Sequence, residues 1–221
     1  MSRSGAVVLS RVHGRQGELV LRRVDGHFEI ISNGVFLMDT RNGESERVLI
    51  RAAVDAVKAA SARMLIGGLG VGFSLAEAVA DPRVGEVTVI ECEPSVIAWH
   101  GTHLSDFSAG AVGDADVTVV CADLLAWLRQ APDELFFDVM CLDIDNGPDW
   151  TVTPANARLY DQAGLELVIS RLSPGGVAAF WSAAASVEFE RRLGEHFADV
   201  RVVEVAVPRG PADVVYVACA S

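Results

Sequence analysis

The sequence predicts an α/β fold in which a mostly parallel sheet is covered by helices on both faces. From Met64 onward, apolar runs of strand length alternate with segments of helix length, a pattern typical of a doubly wound parallel sheet. The last two strand-like runs are separated only by PRGPA. Because this connection is too short for a crossover helix, we expect these two strands to form an antiparallel hairpin at the sheet edge.

The elements of this sheet can be placed in order along the chain. Within the segment 158–172, apolar residues recur at helical spacing, and the breakers at 173–176 are expected to end that helix. The predicted strands are MLIG, VTVIE, VTVVC, FFDVMCLD, GVAAFW, VRVVEVAV and DVVYVACA, and the predicted helices are 73–80, 94–103, 123–130, 158–172 and 184–197.

The N-terminal part has a different pattern. Residues 18–39 are interrupted at Asp25-Gly26 and Asn33-Gly34, the dipeptides that most favour two-residue hairpin turns. A helix over 45–60 is expected next, with Ser45 as its candidate N-cap. The apolar face of that helix is predicted to comprise Leu49, Ala53, Ala56, Val57 and Ala60.

These observations predict a small β-meander domain over 1–44 and a Rossmann-like domain over 45–221. A mostly parallel, seven-stranded sheet that ends in an antiparallel hairpin is the plan of the class I AdoMet-dependent methyltransferase fold.

The composition indicates an acidic protein with ample core. Of the 221 residues, 51% are hydrophobic, and the formal net charge is −12. Such a surface repels polyanions, so neither nucleic acid nor an anionic membrane is expected as a partner. Neither a signal peptide nor a run of about 18 apolar residues is found, which favours a cytoplasmic location. Widely spaced cysteines indicate no disulfide framework or CxxC metal site, and His100 and His103 are interpreted as surface residues, so no metal is predicted.

The first strand of the parallel sheet ends in a glycine-rich turn that leads directly into a helix. Its glycines Gly67, Gly68, Gly70 and Gly72 permit positive φ and close approach of the backbone to a ligand. The dinucleotide pattern G-x-G-x-x-G would require a glycine at Phe73, whereas G-x-G-x-G is complete. The turn is therefore a candidate cofactor-binding loop, and a purely structural turn is the alternative.

Acidic residues end the next two strands. Glu91 follows the glycines by about 20 residues, the spacing at which a carboxylate accepts hydrogen bonds from a ribose. Asp123 ends the third run, where it can either cap the following helix or accept from an adenine amino group. Glycines, Glu91 and Asp123 at three successive strand ends together predict a site for an adenosine-type cofactor.

The fourth strand ends in Asp143 and Asp145. Crowded carboxylates beside an apolar strand can supply a general base, hold a cationic substrate or ligate a divalent metal. An Asp-rich turn without a chemical role is the structural alternative. Their position at the carboxyl end of a strand favours a functional role, and both are candidate catalytic residues.

Four segments together resemble the spermidine synthase family, in order and in spacing. They lie within residues 18–185 and read MLIGGLGVGFSLAEAVADPRVGEVTVIECEPSVI, CADLLAWL, FDVMCLDIDNGP and LYDQAGLELVISRLSPGGVAAFW. The resemblance implies aminopropyl transfer from decarboxylated AdoMet to an amine. It assigns the ribose to Glu91, the adenine to Asp123, the base to Asp143 and acceptor orientation to Asp145. It also implies a homodimer paired through the N-terminal strands.

The chain departs from the family pattern at positions that bear on the reaction. The family's glycine loop carries an Asp that favours the decarboxylated cofactor, and the aligned residue here is Gly70. The family's acceptor-binding Tyr has no clear counterpart near Glu46. The leading hypothesis is therefore methyl transfer from S-adenosyl-L-methionine to a small nucleophile. Aminopropyl transfer is the first alternative, and a non-catalytic scaffold that keeps the fold is the second.

Overall fold

The computed structural model describes residues 5–208 and 210–221. Within them the chain forms a four-stranded antiparallel sheet and a seven-stranded α/β sheet, so the predicted α/β fold is confirmed. Residues 1–4 of the predicted meander domain and Arg209 of the predicted C-terminal hairpin lie outside the described residues. The smaller sheet consists, in spatial order, of β1 (Val7–Gly14), β2 (Gly17–Val24), β3 (His27–Ser32) and β4 (Val35–Asp39).

The larger sheet has the order β10-β11-β9-β8-β5-β6-β7. All neighbouring strands are parallel except for the two pairs made by β11, which are antiparallel as expected for a terminal hairpin. The chain order reverses beside β5, and ligands bind outside the carboxyl ends of strands at such a point. Its strands are β5 (Ala62–Gly67), β6 (Val84–Glu91), β7 (Val117–Cys121), β8 (Phe137–Leu142), β9 (Leu172–Ser182), β10 (Asp199–Val205) and β11 (Asp213–Cys219).

Helices cover both faces of the larger sheet. One core contains the buried apolar residues of α1, α2 and α3, and the other contains those of α4, α5 and α6. None of the described helices is long and apolar enough to cross a membrane. The helices are α1 (Glu44–Ala56), α2 (Phe73–Ala80), α3 (Pro94–His100), α4 (Leu124–Gln130), α5 (Gln162–Ile169) and α6 (Val187–His196).

The first helix differs from its prediction at both ends. It begins at Glu44 after Gly43, and no side chain caps it. Ser45, the predicted N-cap, lies inside the first turn and donates to the Glu46 carboxylate over 3.0 Å. The helix ends at Ala56, so Ala60 lies beyond it and is exposed.

The helix predicted over 158–172 is shorter than its apolar spacing indicates, and tertiary contacts of Arg171 lie just beyond its end. A 3₁₀ turn occupies 154–159, and α5 ends at Ile169. The buried guanidinium of Arg171 donates to the carbonyls of Leu128, Ala131 and Pro132 at the end of α4. The predicted breakers at 173–176 consequently lie inside β9 rather than before it.

Candidate functional site

A cavity of about 580 Å³ lies beyond the carboxyl ends of β5, β6, β7 and β8. Its floor is formed by these strand ends, and residues of the N-terminal sheet form much of the opposite wall. Depth and mixed lining of this kind are typical of small-molecule sites. The larger sheet, its helices and its loops contribute further lining residues, among them Glu46, Gly68, Gly70, Glu91, Asp123, Asp143, Asp145 and Asp213.

The glycine-rich turn approaches the strand end that carries Asp143. Gly68 has φ +91°, and a Cβ atom there would lie 2.1 Å from the carbonyl oxygen of Asp143. Only glycine therefore fits at this position. Gly68 and Gly70 line the cavity, Gly72 precedes α2 beside it, and Gly67 ends β5, where its carbonyl accepts from the Asp143 amide over 2.9 Å.

Glu91 connects the glycine loop to the end of β6. Its buried carboxylate accepts the amide of Leu69 over 3.0 Å and the amide of Glu93 over 2.8 Å. Burial raises the pKa of this carboxyl group, although the backbone donors act in the opposite direction. Glu91 thus fixes the loop and at the same time lines the cavity.

Asp123 caps the following helix, one of the two roles considered for it, and it also lines the cavity. Its carboxylate accepts the amide of Ala126 over 2.8 Å and thereby caps α4. Asp123 and Glu91 both border the same cavity as Gly68 and Gly70 of the glycine loop. The three strand ends singled out in the sequence therefore converge.

The carboxylate of Asp143 differs from those of its neighbours. Among the described residues, no hydrogen-bond donor contacts it. Burial raises the pKa of Asp143 well above its ordinary value, and the nearby carboxylates of Glu46, Asp213 and Asp145 raise it further. A carboxylate with a raised pKa binds a proton more readily than an ordinary aspartate, which suits it to accept a proton in catalysis.

Asp145 lies in a different environment. It accepts the amides of Asn146, Val152 and Thr153 at 2.6–3.0 Å and the side-chain amide of Asn156 over 2.8 Å. Four donors occupy most of the acceptor capacity of a carboxylate. Asp145 lines the cavity, but its contacts order the segment 145–156, so its influence on a ligand acts mainly through that wall.

Comparison with known protein families shows which family the sequence belongs to. The model of the spermine/spermidine synthase domain matches residues 33–220. The chain belongs to the spermine/spermidine synthase family. This confirms the resemblance noted in the sequence.

Individual relatives in the spermine/spermidine synthase family carry the name polyamine aminopropyltransferase. The Mycobacterium tuberculosis protein is 28% identical over 171 residues, which are 77% of this chain and 32% of that protein. Polyamine aminopropyltransferase 2 of Streptomyces coelicolor is 36% identical over 137 residues, or 61% of this chain and 24% of that protein. The chain thus spans about a third or less of the length of these relatives.

Solved structures support the fold. A spermidine synthase in complex with the transition-state analogue AdoDATO superposes with a TM-score of 0.81 at 17% identity, covering 97% of this chain and 74% of that one. The spermidine synthase of Thermotoga maritima gives a TM-score of 0.78 at 15% identity, with 97% and 73% covered. The class I methyltransferase-like architecture predicted from the sequence is confirmed.

Glu46 and Asp213 are among the acidic residues of the cavity that sequence reasoning missed. Glu46 lies in the first turn of α1, and Asp213 is the first residue of β11. Burial raises the pKa of both carboxyl groups. No local signal distinguishes them, because an acidic residue in a first helical turn is common and Asp213 lies more than 60 residues from the fourth strand end.

His100 was also misinterpreted. It is buried rather than exposed, and its ring nitrogens contact the Gly70 carbonyl and the Ser108 hydroxyl, each over 3.0 Å. Because a carbonyl can only accept, Nε2 of His100 donates to Gly70. His100 therefore stabilises the glycine loop through the Gly70 carbonyl. His103 is exposed as predicted.

The N-terminal sheet is attached to the cavity through the tip of its first hairpin. The two oxygens of buried Glu93 accept the amides of Arg15 and Gln16 over 3.0 and 3.1 Å. The Gln16 side chain in turn accepts from the Thr153 hydroxyl over 2.6 Å. Glu93 consequently fixes one wall of the cavity against the other.

Replacing Glu93 by glutamine is expected to loosen this hairpin tip. An amide side chain offers one acceptor oxygen, so one of the two backbone donors loses its partner, at about 1–3 kcal/mol. Amide hydrogen exchange at Arg15 and Gln16 should accelerate by about tenfold or more. Glu86→Gln, at an exposed position of the preceding strand β6, serves as the control. Unchanged exchange in Glu93→Gln would show that another contact holds the tip.

Proposed function

We propose that this chain transfers an aminopropyl group from decarboxylated AdoMet to an amine acceptor. The observation that carries the proposal is that one cavity is lined by two chemically different sets of groups. The glycine loop, Glu91 and Asp123 are suited to an adenosine. The carboxylates of Asp143, Glu46 and Asp213 are suited to cationic amines. The names of the family relatives support this assignment over methyl transfer.

In the proposed reaction the acceptor nitrogen attacks the methylene carbon bonded to the sulfonium. A carbon–nitrogen bond forms while the carbon–sulfur bond breaks, and the sulfur leaves as neutral methylthioadenosine. The leaving thioether requires no acid. Before attack, the acceptor ammonium gives a proton to the Asp143 carboxylate, whose raised pKa makes it a suitable acceptor, and the neutral amine that remains is the nucleophile.

The protein contributes alignment in addition to the base. The backbone at Gly68 and the side chain of Glu91 hold the nucleoside, so that the sulfonium carbon faces the strand end bearing Asp143. We assign the ribose hydroxyls to Glu91 and the adenine amino group to Asp123, which keeps its capping bond through one oxygen. Asp145 orients the segment 145–156 around the acceptor.

The direct test is incubation with decarboxylated AdoMet or AdoMet, each with a panel of amines such as putrescine. Aminopropyl transfer releases methylthioadenosine, and methyl transfer releases S-adenosylhomocysteine. We expect methylthioadenosine together with an aminopropylated amine. Release of S-adenosylhomocysteine alone would contradict the proposal and restore methyl transfer. Calorimetric binding of neither nucleoside would contradict both activities.

A further inference from the structure

The carboxylates suited to a cationic amine come from three separate elements. Glu46 comes from α1, Asp143 follows β8, and Asp213 begins β11. Glu46 and Asp143 also line a narrow crevice that continues from the cavity along Gly68 and Gly70. Glu46 is therefore the acidic side chain of α1 that lies beside the glycine loop.

Among the described residues, none forms an ion pair with these carboxylates. No Lys, Arg or His is found among the described residues that line the cavity. The positive charge of Arg47 acts to lower the pKa of Glu46, but its guanidinium lies 4.4 Å from the centre of the Phe73 ring and 3.9 Å from Glu77. The hydroxyl of Ser45 donates to Glu46, but it brings no charge.

A second observation is the carboxylate of Asp143. It is partly exposed, faces both the cavity and the crevice, and has no hydrogen-bond donor among the described residues. Carboxylates shielded from bulk water are ordinarily paired with a donor or a cation. An unpaired one that faces a cavity indicates that its partner is supplied by the occupant. No group of three or more His, Cys, Asp or Glu in the described part of the chain is arranged to hold a metal ion, so an organic cation is the better fit.

We propose that Glu46 determines donor specificity by binding the terminal ammonium of the aminopropyl arm and by repelling the carboxylate of ordinary AdoMet. The inference rests on the proposed function. The sequence led us to expect that ordinary AdoMet is accepted, because Gly70 carries no carboxylate. In the structure a carboxylate reaches the same crevice from α1 instead, and Asp143 and Asp213 strengthen the repulsion. Discrimination between decarboxylated AdoMet and ordinary AdoMet is thus retained, but by a residue at a different position in the chain.

The test compares three nucleosides by calorimetry: decarboxylated AdoMet, AdoMet and methylthioadenosine, which lacks the charged arm. Glu46→Gln keeps the size of the side chain and an acceptor for Ser45. It is expected to weaken binding of decarboxylated AdoMet by roughly 10- to 100-fold, the effect of losing a hydrogen bond to a charged group. Affinity for AdoMet should rise, and affinity for methylthioadenosine should stay the same.

The matched control is Glu44→Gln, in the same helical turn but exposed and paired with Arg51. It should leave all three affinities unchanged. A double variant, Glu46→Gln with Gly70→Asp, returns a carboxylate to the crevice from the loop. Gly70 has φ +50°, which Asp tolerates, and the contact to be relieved is the flexible end of Met38. This variant should regain preference for decarboxylated AdoMet.

The outcomes separate this inference from the proposed function. If Glu46→Gln weakens the binding of methylthioadenosine as much as the binding of decarboxylated AdoMet, Glu46 is merely structural and the inference is overturned. The inference is also overturned if the ratio of the affinity for decarboxylated AdoMet to the affinity for AdoMet does not change. If the unaltered protein binds methylthioadenosine but shows no aminopropyl transfer, the proposed function fails while the specificity ratio can still be measured.

Discussion

Replacing Asp143 by asparagine is expected to lower the rate of aminopropyl transfer by about 10²- to 10⁴-fold, the usual contribution of a general base. The asparagine side chain has nearly the same size, but it cannot take the proton that the acceptor ammonium must lose before the neutral amine attacks. Binding of methylthioadenosine should be unchanged, because that nucleoside carries no aliphatic amine for Asp143 to bind or deprotonate. Single-turnover release of methylthioadenosine measures the rate without product dissociation.

Asp133→Asn is the control, because Asp133 is exposed in the loop before β8. It should transfer at the unaltered rate. A loss of less than tenfold in Asp143→Asn would exclude Asp143 as the base, and the absence of any transfer by the unaltered protein would favour the non-catalytic scaffold. A large loss would exclude the scaffold.

The same variant should be more stable than the unaltered protein at pH 8. The pKa of Asp143 is raised in the folded state, whereas an unfolded chain titrates near its ordinary value of about 3.9. Folding is therefore favoured by protonated Asp143 at low pH, and this contribution is lost as the pH rises through the folded-state pKa. Asparagine does not titrate. We therefore expect thermal unfolding to show a higher Tm for the asparagine variant than for the unaltered protein at pH 8, and no such gain at pH 4.

The second large effect is expected for Gly68→Ala. The added Cβ would lie 2.1 Å from the backbone oxygen of Asp143, which cannot move without displacing the strand end. Strain at φ +91° adds about 1–2 kcal/mol, and overpacking adds about 1–3 kcal/mol more. We expect a loss of about 2–5 kcal/mol in the free energy of unfolding and at least a tenfold loss of methylthioadenosine affinity.

Gly26→Ala separates the two causes. Gly26 has φ +86°, close to that of Gly68, but nothing lies within 4 Å of a Cβ atom built there. This variant should show the backbone strain alone and bind methylthioadenosine normally. Chemical denaturation and calorimetry measure both quantities. Equal stabilities for the two variants would mean that the approach of Gly68 to Asp143 is unimportant.

The sequence predicted the features that depend on local pattern. Strand-length apolar runs, the glycine turn and the acidic strand ends at Glu91, Asp123 and Asp143 are all readable because parallel strands bring their carboxyl ends together. Strand β1 was missed, since its residues become a strand only by pairing with β2. The end of α5 was missed because Arg171 is bound by carbonyls distant in sequence.

Glu46, Asp213 and His100 could not be identified for a related reason. Each has an ordinary local explanation as a residue of a helix turn, a strand start or a solvated surface. Their significance arises only when α1, β11 and α3 pack around the same glycine loop and cavity. Site residues that come from elements distant in the chain have no characteristic spacing, so a single sequence does not reveal them.

The acidic lining also has a consequence for the protein before any substrate arrives. A chamber walled by carboxylates, with no basic side chain from the described residues among them, attracts small cations from the surrounding solution. Under the proposed function, a cationic amine that enters the chamber must compete with such cations. Added salt also screens the attraction between the amine and the carboxylates, so affinity for the amine should fall as the ionic strength rises.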